Sequence, residues 1–452
     1  MTNVLLVYLP FCTPASPPYS LPHLAAFLKA NGTPQMAVAV LDLNIIFHSL
    51  KFPEFQAYFK EHKNWSDYES ITDAYHQKTE KVYSENNWNV VHGEKPEFFD
   101  VLLQRITDQK PDIVALSVVY SSQAFYAYAL LRSLKELGIT TVIGGPAVNE
   151  KLIQRADKYL SNELELLRFI LGKDVAHDSL IHTVSPDFSV FPLEEYFTPH
   201  PVIPIHTSTT CYYQQCTFCA HYNKVKYAEF PLDIIKETIV RSQQKYFFLI
   251  DDMIPSQRLL SIAAMMKPLH VRWACQLRPT KDFDYPLLKQ LHDAGLSVVY
   301  WGVESGNDRI LQLMKKGTNT HDVASVLAAS HKAGIKNMAY VLLGMPTETE
   351  QEIVDTVHFL KDNRDNVDLL CISIFGLHKG TPIYHNPEAF GITQITEKER
   401  TVLAPKITYT IQNGLSHENV LSLKKKYRNT FSSINKYPAS MAFFREHMLC
   451  VV

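Results

Sequence analysis

The sequence predicts an α/β protein: an N-terminal doubly wound, Rossmann-like domain, then a partial barrel of six β/α units, then a C-terminal helical extension. Two series of short apolar runs alternate with amphipathic stretches, and a proline-rich segment separates the two series. Such alternation is typical of parallel sheets, which bind ligands at the carboxyl ends of their strands. We place the domains at 1–175, 202–390 and 391–452, with an interdomain linker at 176–201.

The N-terminal series begins with an apolar run at 3–9, ended by Pro10. Further runs with the apolar character of buried strands lie at 36–41, 112–120 and 140–143. Helical patterns lie between them at 21–29, 98–108 and 124–137. The stretch 60–95 is polar, carries scattered aromatic residues and lacks a clear period, so we interpret it as an insertion.

The second series predicts six strands, at 203–207, 246–250, 272–276, 297–302, 337–343 and 369–375. Helices are predicted between them at 231–243, 285–294, 307–315, 322–333 and 348–360. Six strands alternating with helices describe a partial barrel, whose chemistry is expected at the carboxyl ends of the strands. Beyond residue 395, the basic stretch 418–428 predicts a helix in the C-terminal extension.

Composition narrows the class of protein. Hydrophobic residues make up 46% and charged residues 20% of 452, which are ordinary globular values. The formal charge of −2 gives no global electrostatic reason to expect nucleic acid, so we expect no such partner, although net charge alone leaves a local basic patch open. No apolar run reaches the roughly 18 residues that a membrane helix needs, and the first residues lack a basic region. We therefore expect a cytoplasmic protein without a membrane partner.

Three of the seven cysteines lie within nine residues, in the segment CYYQQCTFC at 211–219, directly after the first barrel strand. Soft thiolate ligands suit an iron-sulfur cluster, and the three ligands Cys211, Cys216 and Cys219 would leave one iron free. A structural zinc site is the alternative, and it would need His206 or His221 as a fourth ligand. Uncoordinated core cysteines are the remaining alternative.

The cysteine segment and two later motifs together resemble the radical S-adenosylmethionine (SAM) superfamily, in the branch with an N-terminal cobalamin-binding-like domain. The family's usual spacing is C-x3-C-x2-C with an aromatic residue before the last cysteine; here the spacing is C-x4-C-x2-C, with Phe218 in that place. The segment GVESGNDR at 302–309, followed by MKKG at 314–317, resembles the fourth-strand signature. The segment LGMPTET at 343–349 resembles the fifth-strand loop.

This resemblance implies a [4Fe-4S] cluster held by the three cysteines, SAM as cofactor, and an external electron donor such as flavodoxin or ferredoxin. It implies SAM-binding roles for seven residues near strand ends: Asp251, Asp252, Arg278, Glu304, Ser305, Arg309 and Gly344. Taken singly, Glu304 and Arg309 favour an ordinary helix-start pair, and Gly344 an ordinary turn. Their order along the chain and their places at strand ends favour the SAM-binding interpretation for the motifs together.

The N-terminal domain resembles cobalamin-binding domains in PPYSLPHLA at 17–25, in Ser117 and in GGP at 144–146. It contains no Asp-x-His-x-x-Gly motif that would supply an axial histidine to cobalt. Cobalamin as a cofactor therefore stays open and is not favoured.

Cys371 lies in the apolar run of the sixth barrel strand, where alternate side chains face the interior. A buried cysteine is most often a small hydrophobic residue. Inside a radical SAM barrel, however, an inward thiol could return a hydrogen atom to a substrate radical. That arrangement is similar to proteusin-type peptide epimerases and implies L-to-D epimerisation of a ribosomally made precursor peptide, with Cys371 as donor.

The alternative is a cobalamin-dependent radical SAM methyltransferase, and a third class is a non-catalytic iron-sulfur protein.

Overall fold

The computed structural model describes residues 2–61, 65–176, 180–181, 183–220 and 225–451. The chain divides into two compact units. The first contains 1–204, 233–243 and 399–405, and the second contains 205–232, 244–398 and 406–452. Parts of the predicted linker, at 177–179 and 182, lie outside the described residues.

The N-terminal unit is built on a parallel sheet of five strands in the order β2-β1-β3-β4-β5. The strands are β1 (Thr2–Tyr8), β2 (Met36–Asp42), β3 (Ile113–Ser117), β4 (Thr140–Gly144) and β5 (Lys158–Tyr159). The first four confirm the predicted Rossmann-like arrangement, whereas the two exposed residues of β5 carry no apolar run to predict them. The strand order reverses between β1 and β3, which creates a crevice at their carboxyl ends.

Eight helices of the described chain accompany this sheet: α1 (Ser20–Asn31), α2 (Leu43–Lys51), α3 (Pro53–Glu61), α4 (Tyr68–Val91), α5 (Phe99–Thr107), α6 (Ala124–Glu136), α7 (Glu150–Ile153) and α8 (Glu163–Leu171). The segment interpreted as an insertion without a period is mostly α4, a helix of 24 residues. Its buried residues are Tyr68, Thr72, Tyr75, Val82, Asn86 and Val90. They follow a helical spacing, but four of the six carry polar groups, so the hydrophobic contrast was too weak to reveal it.

The second sheet contains six strands in chain order: β6 (Val202–Ile205), β7 (Tyr246–Leu249), β8 (Arg272–Leu277), β9 (Leu296–Glu304), β10 (Lys336–Leu343) and β11 (Leu369–Ile374). The pairs from β7 to β11 are parallel, which confirms the partial barrel. Between these strands lie α9 (Leu232–Ser242), α10 (Ser256–Met266), α11 (Tyr285–Asp293), α12 (Asp308–Leu313), α13 (Thr320–Ala333) and α14 (Glu350–Asp362).

The two faces of this sheet are told apart by their hydrogen bonds. Trp301 donates from Nε1 to Oδ1 of Asn337 at 2.8 Å, and Asn337 donates to the backbone of Leu327 on α13 at 2.9 Å. Both strand residues therefore face the helices. Because side chains alternate along a strand, Tyr300 and Tyr340 lie on the opposite, inner face.

After β11 follow a short helix, α15 (Pro382–His385), and an antiparallel hairpin of β12 (Ile392–Lys398) and β13 (Lys406–Ile411). The expected helical extension begins only after this hairpin, with α16 (His417–Lys426), α17 (Arg428–Ile434) and α18 (His447–Val451).

The extension covers the free edge of β11. Asn435 accepts from the amide of Leu370 at 2.8 Å, and the amide of Lys436 donates to the carbonyl of Asp368 at 2.8 Å. An unpaired strand edge is a template for aggregation, and these contacts occupy it. Within the described residues, no helix has both the length and the apolar character needed to cross a membrane.

Candidate active site

The cysteine-bearing loop follows β6 and is fastened to the segment after β9. The amide of Thr217 donates to Met314 at 2.9 Å, and its hydroxyl donates to the carbonyl of Leu313 at 3.0 Å. The hydroxyl of Tyr213 donates to the carbonyl of Lys315 at 2.8 Å. The loop is thus held at the carboxyl end of the sheet, where barrel chemistry is expected.

Cys211, Cys216 and Cys219 are half-buried on this loop, and none of the three forms a disulfide. A turn brings the amide of Cys219 to 3.3 Å from the carbonyl of Cys216. Across the described ranges, no three or more His, Cys, Asp or Glu side chains stand at metal-binding separations. The donor chemistry nevertheless fits an iron-sulfur cluster, because residues 211–219 offer three thiols and no carboxylate.

Of the two histidines that could complete a zinc site, the structure describes only His206. Burial lowers the pKa of His206 to about 4, although the nearby carboxylate of Asp252 acts in the opposite direction. His221 lies outside the described residues.

A buried ion pair lies beside the cysteine loop. Lys316 donates from Nζ to Oε1 of Glu304 at 2.7 Å, and its side chain is only 2% exposed. Burial lowers the pKa of Lys316, but Glu304 and Cys216 outweigh that effect and raise it above its ordinary value. Burial also raises the pKa of Cys216, and Lys316 opposes this. The ammonium group therefore favours the thiolate form that metal ligation requires.

The pair depends on a glycine in β9. A Cβ at Gly302 would lie 2.6 Å from Nζ of Lys316 and 2.9 Å from Oε1 of Glu304. Any side chain there would push the two charged groups out of place. The glycine that opens the fourth-strand signature thus has a steric reason.

Arg278 joins the cysteine loop to the segment that carries Lys316. Its guanidinium carbon stands 3.5 Å from the ring centroid of Tyr213, and Nη1 donates to the carbonyl of Lys316 at 3.0 Å. A Cβ at Gly317, where φ is +69°, would lie 2.3 Å from the hydroxyl oxygen of Tyr213. Arg278 lies among the predicted site residues, and its observed contacts position the loop.

Asp251 anchors the start of the same loop. Both of its carboxylate oxygens accept from the amide of Thr207, at 3.0 and 2.9 Å, and Oδ1 accepts from the hydroxyl of Ser208 at 2.7 Å. Burial raises the pKa of Asp251 to about 6, against the effect of these hydrogen bonds. Asp252, its neighbour, is half-buried near His206.

Arg309 contacts α14 rather than the cysteine loop. Its guanidinium forms a bidentate pair with Glu352, in which Nη2 lies 2.7 Å from Oε2. Nη1 and Nη2 also donate to the side chain and backbone of Thr347, at 3.2 and 3.0 Å. These contacts agree with the ordinary helix-start alternative for this residue.

Ser305 and Gly344 also have packing roles. Ser305 is fully buried, with its hydroxyl 3.1 Å from that of Thr356 on α14. Gly344 has φ +85°, and a Cβ there would lie 3.0 Å from Cγ2 of Val420. The amides of Gly344 and Met345 both donate to Oε2 of Glu348, a fully buried residue whose Oε1 has no hydrogen-bond partner.

Cys371 lies on the inner face of the sheet. Strand register pairs it with Tyr340, and paired residues of parallel strands share a face. The ring of Tyr340 stacks on that of Tyr300 at 6.2 Å. Burial raises the pKa of Cys371, while the nearby cations Lys424 and Arg445 act in the opposite direction.

Residues 205–360 match the family model of the radical SAM superfamily. These residues are a radical SAM domain. The domain contains the three loop cysteines and all seven predicted SAM-binding residues, and it implies a [4Fe-4S] cluster and SAM as cofactors.

Relatives extend the similarity beyond this domain. A protein of Pyrococcus horikoshii, named as an uncharacterized methyltransferase, is 23% identical over 350 residues, which cover 67% of this chain and 75% of that protein. The cobalamin-dependent SAM radical enzyme OxsB shares the fold with a TM-score of 0.63 at 15% identity, over 96% of this chain and 67% of OxsB. The radical SAM methyltransferase TsrM of Kitasatospora setae has a TM-score of 0.60 at 15% identity, over 94% of this chain and 91% of TsrM.

Sequence reasoning did not single out three charged residues around this domain. Lys316 belongs to the MKKG segment at 314–317, but no role was predicted for it. Its buried position depends on Gly302 of the fourth-strand signature. Lys424 and Arg445 lie outside the barrel repeats, and only the return of the C-terminal segment to β11 and Tyr340 brings them near Cys371. No local pattern in the sequence signals that return.

Proposed function

We propose that this chain is a cobalamin-dependent radical SAM methyltransferase. The observation that carries the proposal is the combination, in one chain, of a five-stranded parallel sheet with a crevice at its strand ends and a radical SAM domain. Two solved proteins share this fold over most of the chain. OxsB was solved with cobalamin and SAM bound, and TsrM was solved with cobalamin and a [4Fe-4S] cluster bound. This proposal replaces epimerisation as our first hypothesis.

We take the carboxyl edge of the N-terminal sheet as the surface that would bind cobalamin. Its loops expose Tyr120, Ser121, Gly145 and Pro146. Gly145 has φ +116°, and a Cβ there would lie 2.3 Å from the carbonyl oxygen of Val118, so the loops after β3 and β4 are closely packed. No histidine occurs in 9–20, 118–123 or 144–149. Cobalamin would therefore be held by shape and backbone contacts, without an axial histidine from these loops.

The residues of the radical SAM domain would orient the reaction. When bound, the cluster and SAM supply a 5′-deoxyadenosyl radical, and cobalamin supplies a methyl carrier. Cys211, Cys216 and Cys219 would hold the cluster, and Lys316 would offer positive charge beside it. Arg278 and Asp251 would keep the cysteine loop in position through Tyr213 and the strand end.

The test is cobalamin loading of the full-length protein, followed by assay of SAM products. We expect about one cobalamin per chain and formation of S-adenosylhomocysteine, because a methyltransferase must remove the methyl group of SAM. Gly145→Ala should weaken cobalamin binding about tenfold. Gly138→Ala is the matched control, since Gly138 also has positive φ but a Cβ there meets nothing within 4 Å. A wild-type protein that takes up no cobalamin and forms no S-adenosylhomocysteine would overturn the proposal.

Epimerisation of a ribosomally made precursor peptide is the second candidate, favoured by one observation: the thiol of Cys371 lies on the inner face of the barrel sheet. A thiol there could return a solvent-exchangeable hydrogen to a Cα radical. Turnover in deuterium oxide would then add one deuterium to each inverted residue, whereas a methyltransferase adds a methyl group. Cys371→Ala should abolish D-residues and leave SAM cleavage intact; D-residues at the wild-type rate would exclude this role. Either function requires an electron donor, for which we propose flavodoxin or ferredoxin.

A further inference from the structure

Two cations from the C-terminal region lie near Cys371: Arg445 on the inner face of the barrel sheet, and Lys424 at the free edge of β11. Arg445 donates from Nη1 to the hydroxyl of Tyr340 at 3.2 Å, and its guanidinium lies 4.8 Å from the ring centroid of Phe248 on β7. Lys424 donates from Nζ to the carbonyl of Ile372 at 2.6 Å, next to Cys371 in sequence. Both cations therefore lie near Cys371: Arg445 is bonded to the neighbouring strand β10, and Lys424 is bonded to β11 itself.

The inner face of the barrel sheet is accessible in part. Along β10, Tyr340 and Leu342 are half-buried while Val341 and Leu343 are buried. Cys371 is likewise half-buried, and Ser373, two residues further along β11, is exposed. The side chain of Arg445 keeps 32% of its surface exposed. Met338 and Tyr300, nearer the start of the same strands, are 0% and 1% exposed, so the inner face is closed there and becomes accessible only from Tyr340 and Cys371 towards the carboxyl ends of the strands.

The charges around Cys371 are unbalanced. Glu304 is paired with Lys316, and Oε1 of Glu446 stands 3.9 Å from Nε of Arg445. Within the described ranges, Lys424 has no carboxylate within 4 Å and bonds only a backbone carbonyl. A half-buried ammonium group without a counter-ion is costly, because little water compensates its charge. An anionic ligand would supply the missing charge.

We propose that Arg445, on the inner face of the barrel sheet, and Lys424, at the edge of β11, bind the oxyanion of the substrate, a carboxylate or a phosphate, beside Cys371. The planar guanidinium suits an oxyanion with two acceptor oxygens, and Lys424 acts as a point charge from the other side. The inference rests on the proposed function, because it takes this face as the substrate side of the radical SAM barrel. It holds equally for methylation and for epimerisation.

The experiment measures how the charge of a small reagent affects alkylation of Cys371 in full-length, cluster-reconstituted protein. Iodoacetate carries a carboxylate and iodoacetamide does not. The ratio of their rates at Cys371 is measured by peptide mass spectrometry and divided by the same ratio at Cys12, in the other unit. We expect this normalised ratio to favour iodoacetate about fivefold in wild type, and to fall towards unity in Arg445→Gln and in Lys424→Gln.

Matched variants separate a binding role from a structural one. Arg445→Lys keeps a cation and should keep most of the preference, and Lys425→Gln removes a charge from an exposed neighbour and should change nothing. Circular dichroism shows whether each variant folds. If Arg445→Gln does not fold, Lys424→Gln still tests the proposal. Equal ratios in wild type and in the folded Gln variants would overturn it.

Competing anions identify the source of the oxyanion. Stronger protection of Cys371 by acetate than by inorganic phosphate assigns a carboxylate, and the reverse order assigns a phosphate. The measurement needs neither cobalamin nor turnover. Its failure is therefore distinguishable from failure of the proposed methyl transfer.

Discussion

Two ion pairs follow β9 within a few residues of one another, and their surroundings differ. Glu304 and Lys316 are 13% and 2% exposed and lie beside the cysteine loop. Arg309 is 49% exposed and pairs with Glu352, across from Thr347. One signature in the sequence therefore contains two devices: a buried pair that places charge near the thiols, and a more exposed pair that ties the start of α12 to α14.

The cysteine loop should give the largest effect of all. Replacing Cys211, Cys216 and Cys219 together by Ala should remove all iron and the charge-transfer absorbance, because no other thiol lies in the loop. Iron analysis and absorbance of anaerobically reconstituted protein check this. Retention of a four-iron cluster in the triple variant would show that the ligands lie elsewhere, and the contrast between the two ion pairs would lose its meaning.

The buried pair should give the next largest effect. Lys316→Met leaves the carboxylate of Glu304 without its partner, so we expect a loss of about 3–5 kcal/mol in the free energy of unfolding and weaker SAM binding. Adding Glu304→Gln should restore much of the stability, since no uncompensated charge remains, but not SAM affinity. Lys315→Met, at an exposed neighbour, is the control. Denaturant unfolding and SAM titration separate the two quantities, and unchanged SAM affinity in Lys316→Met would make the pair purely structural.

A buried carboxyl beside the second pair should give a smaller, pH-dependent effect. Burial raises the pKa of Glu348 to about 7, although the amides of Gly344 and Met345 act against it. The folded state therefore binds this proton more tightly than the unfolded chain, whose pKa is near 4.5. The stability it contributes is complete below about pH 4.5 and is lost as pH rises through 7, by roughly 3 kcal/mol.

Thermal unfolding between pH 5 and pH 8 checks this sign. Glu348→Gln should flatten the decline of Tm with pH, while Glu350→Gln, at an exposed residue of the same segment, should leave it unchanged. Some decline should persist, because burial also raises the pKa values of Asp251 and Asp42, each to about 6. An identical pH profile in wild type and Glu348→Gln would contradict the assignment.

The exposed pair should give the smallest effect. Arg309→Met removes the hydrogen bonds to Glu352, but water screens the half-exposed guanidinium, so we expect a loss of about 1 kcal/mol. Cluster content should stay at the wild-type level. Arg309 and Glu304 are both predicted SAM-binding residues, but Arg309 contacts α14 whereas Glu304 contacts Lys316 beside the cysteine loop. A loss of SAM affinity in Arg309→Met as large as in Lys316→Met would restore the original grouping.

Much of the fold follows from local patterns in the sequence. The apolar runs that form β1 to β4 and β6 to β11 are short, continuous and bounded by turn residues, so the local pattern alone predicts them as strands. Helix α4 does not, because tyrosine, threonine and asparagine form much of its buried stripe. In the hairpin, β12 is mostly exposed and has no apolar alternation. β13 does alternate, with exposed Lys and Thr between half-buried Ile and Tyr, and the prediction of an all-helical extension missed this strand pattern.

The site was predictable where its residues are close in sequence, and less so where partners are distant. The cysteine spacing and the glycine of the fourth-strand signature are local features. Arg309 bonds to Glu352, which lies 43 residues later in the sequence, and Arg445 bonds to Tyr340, which is 105 residues away. Such pairings depend on the packing of whole elements, which spacing alone does not determine.

The covered edge of β11 has a consequence for synthesis of the chain. Asn435, which occupies the amide of Leu370, is made 65 residues after it. At 5–20 residues per second, translation leaves the open edge without this cover for about 3–13 s. During that time another nascent chain could add a strand there. Slower elongation across residues 371–435 should therefore increase the fraction of insoluble protein, and a chaperone that binds extended segments should reduce it.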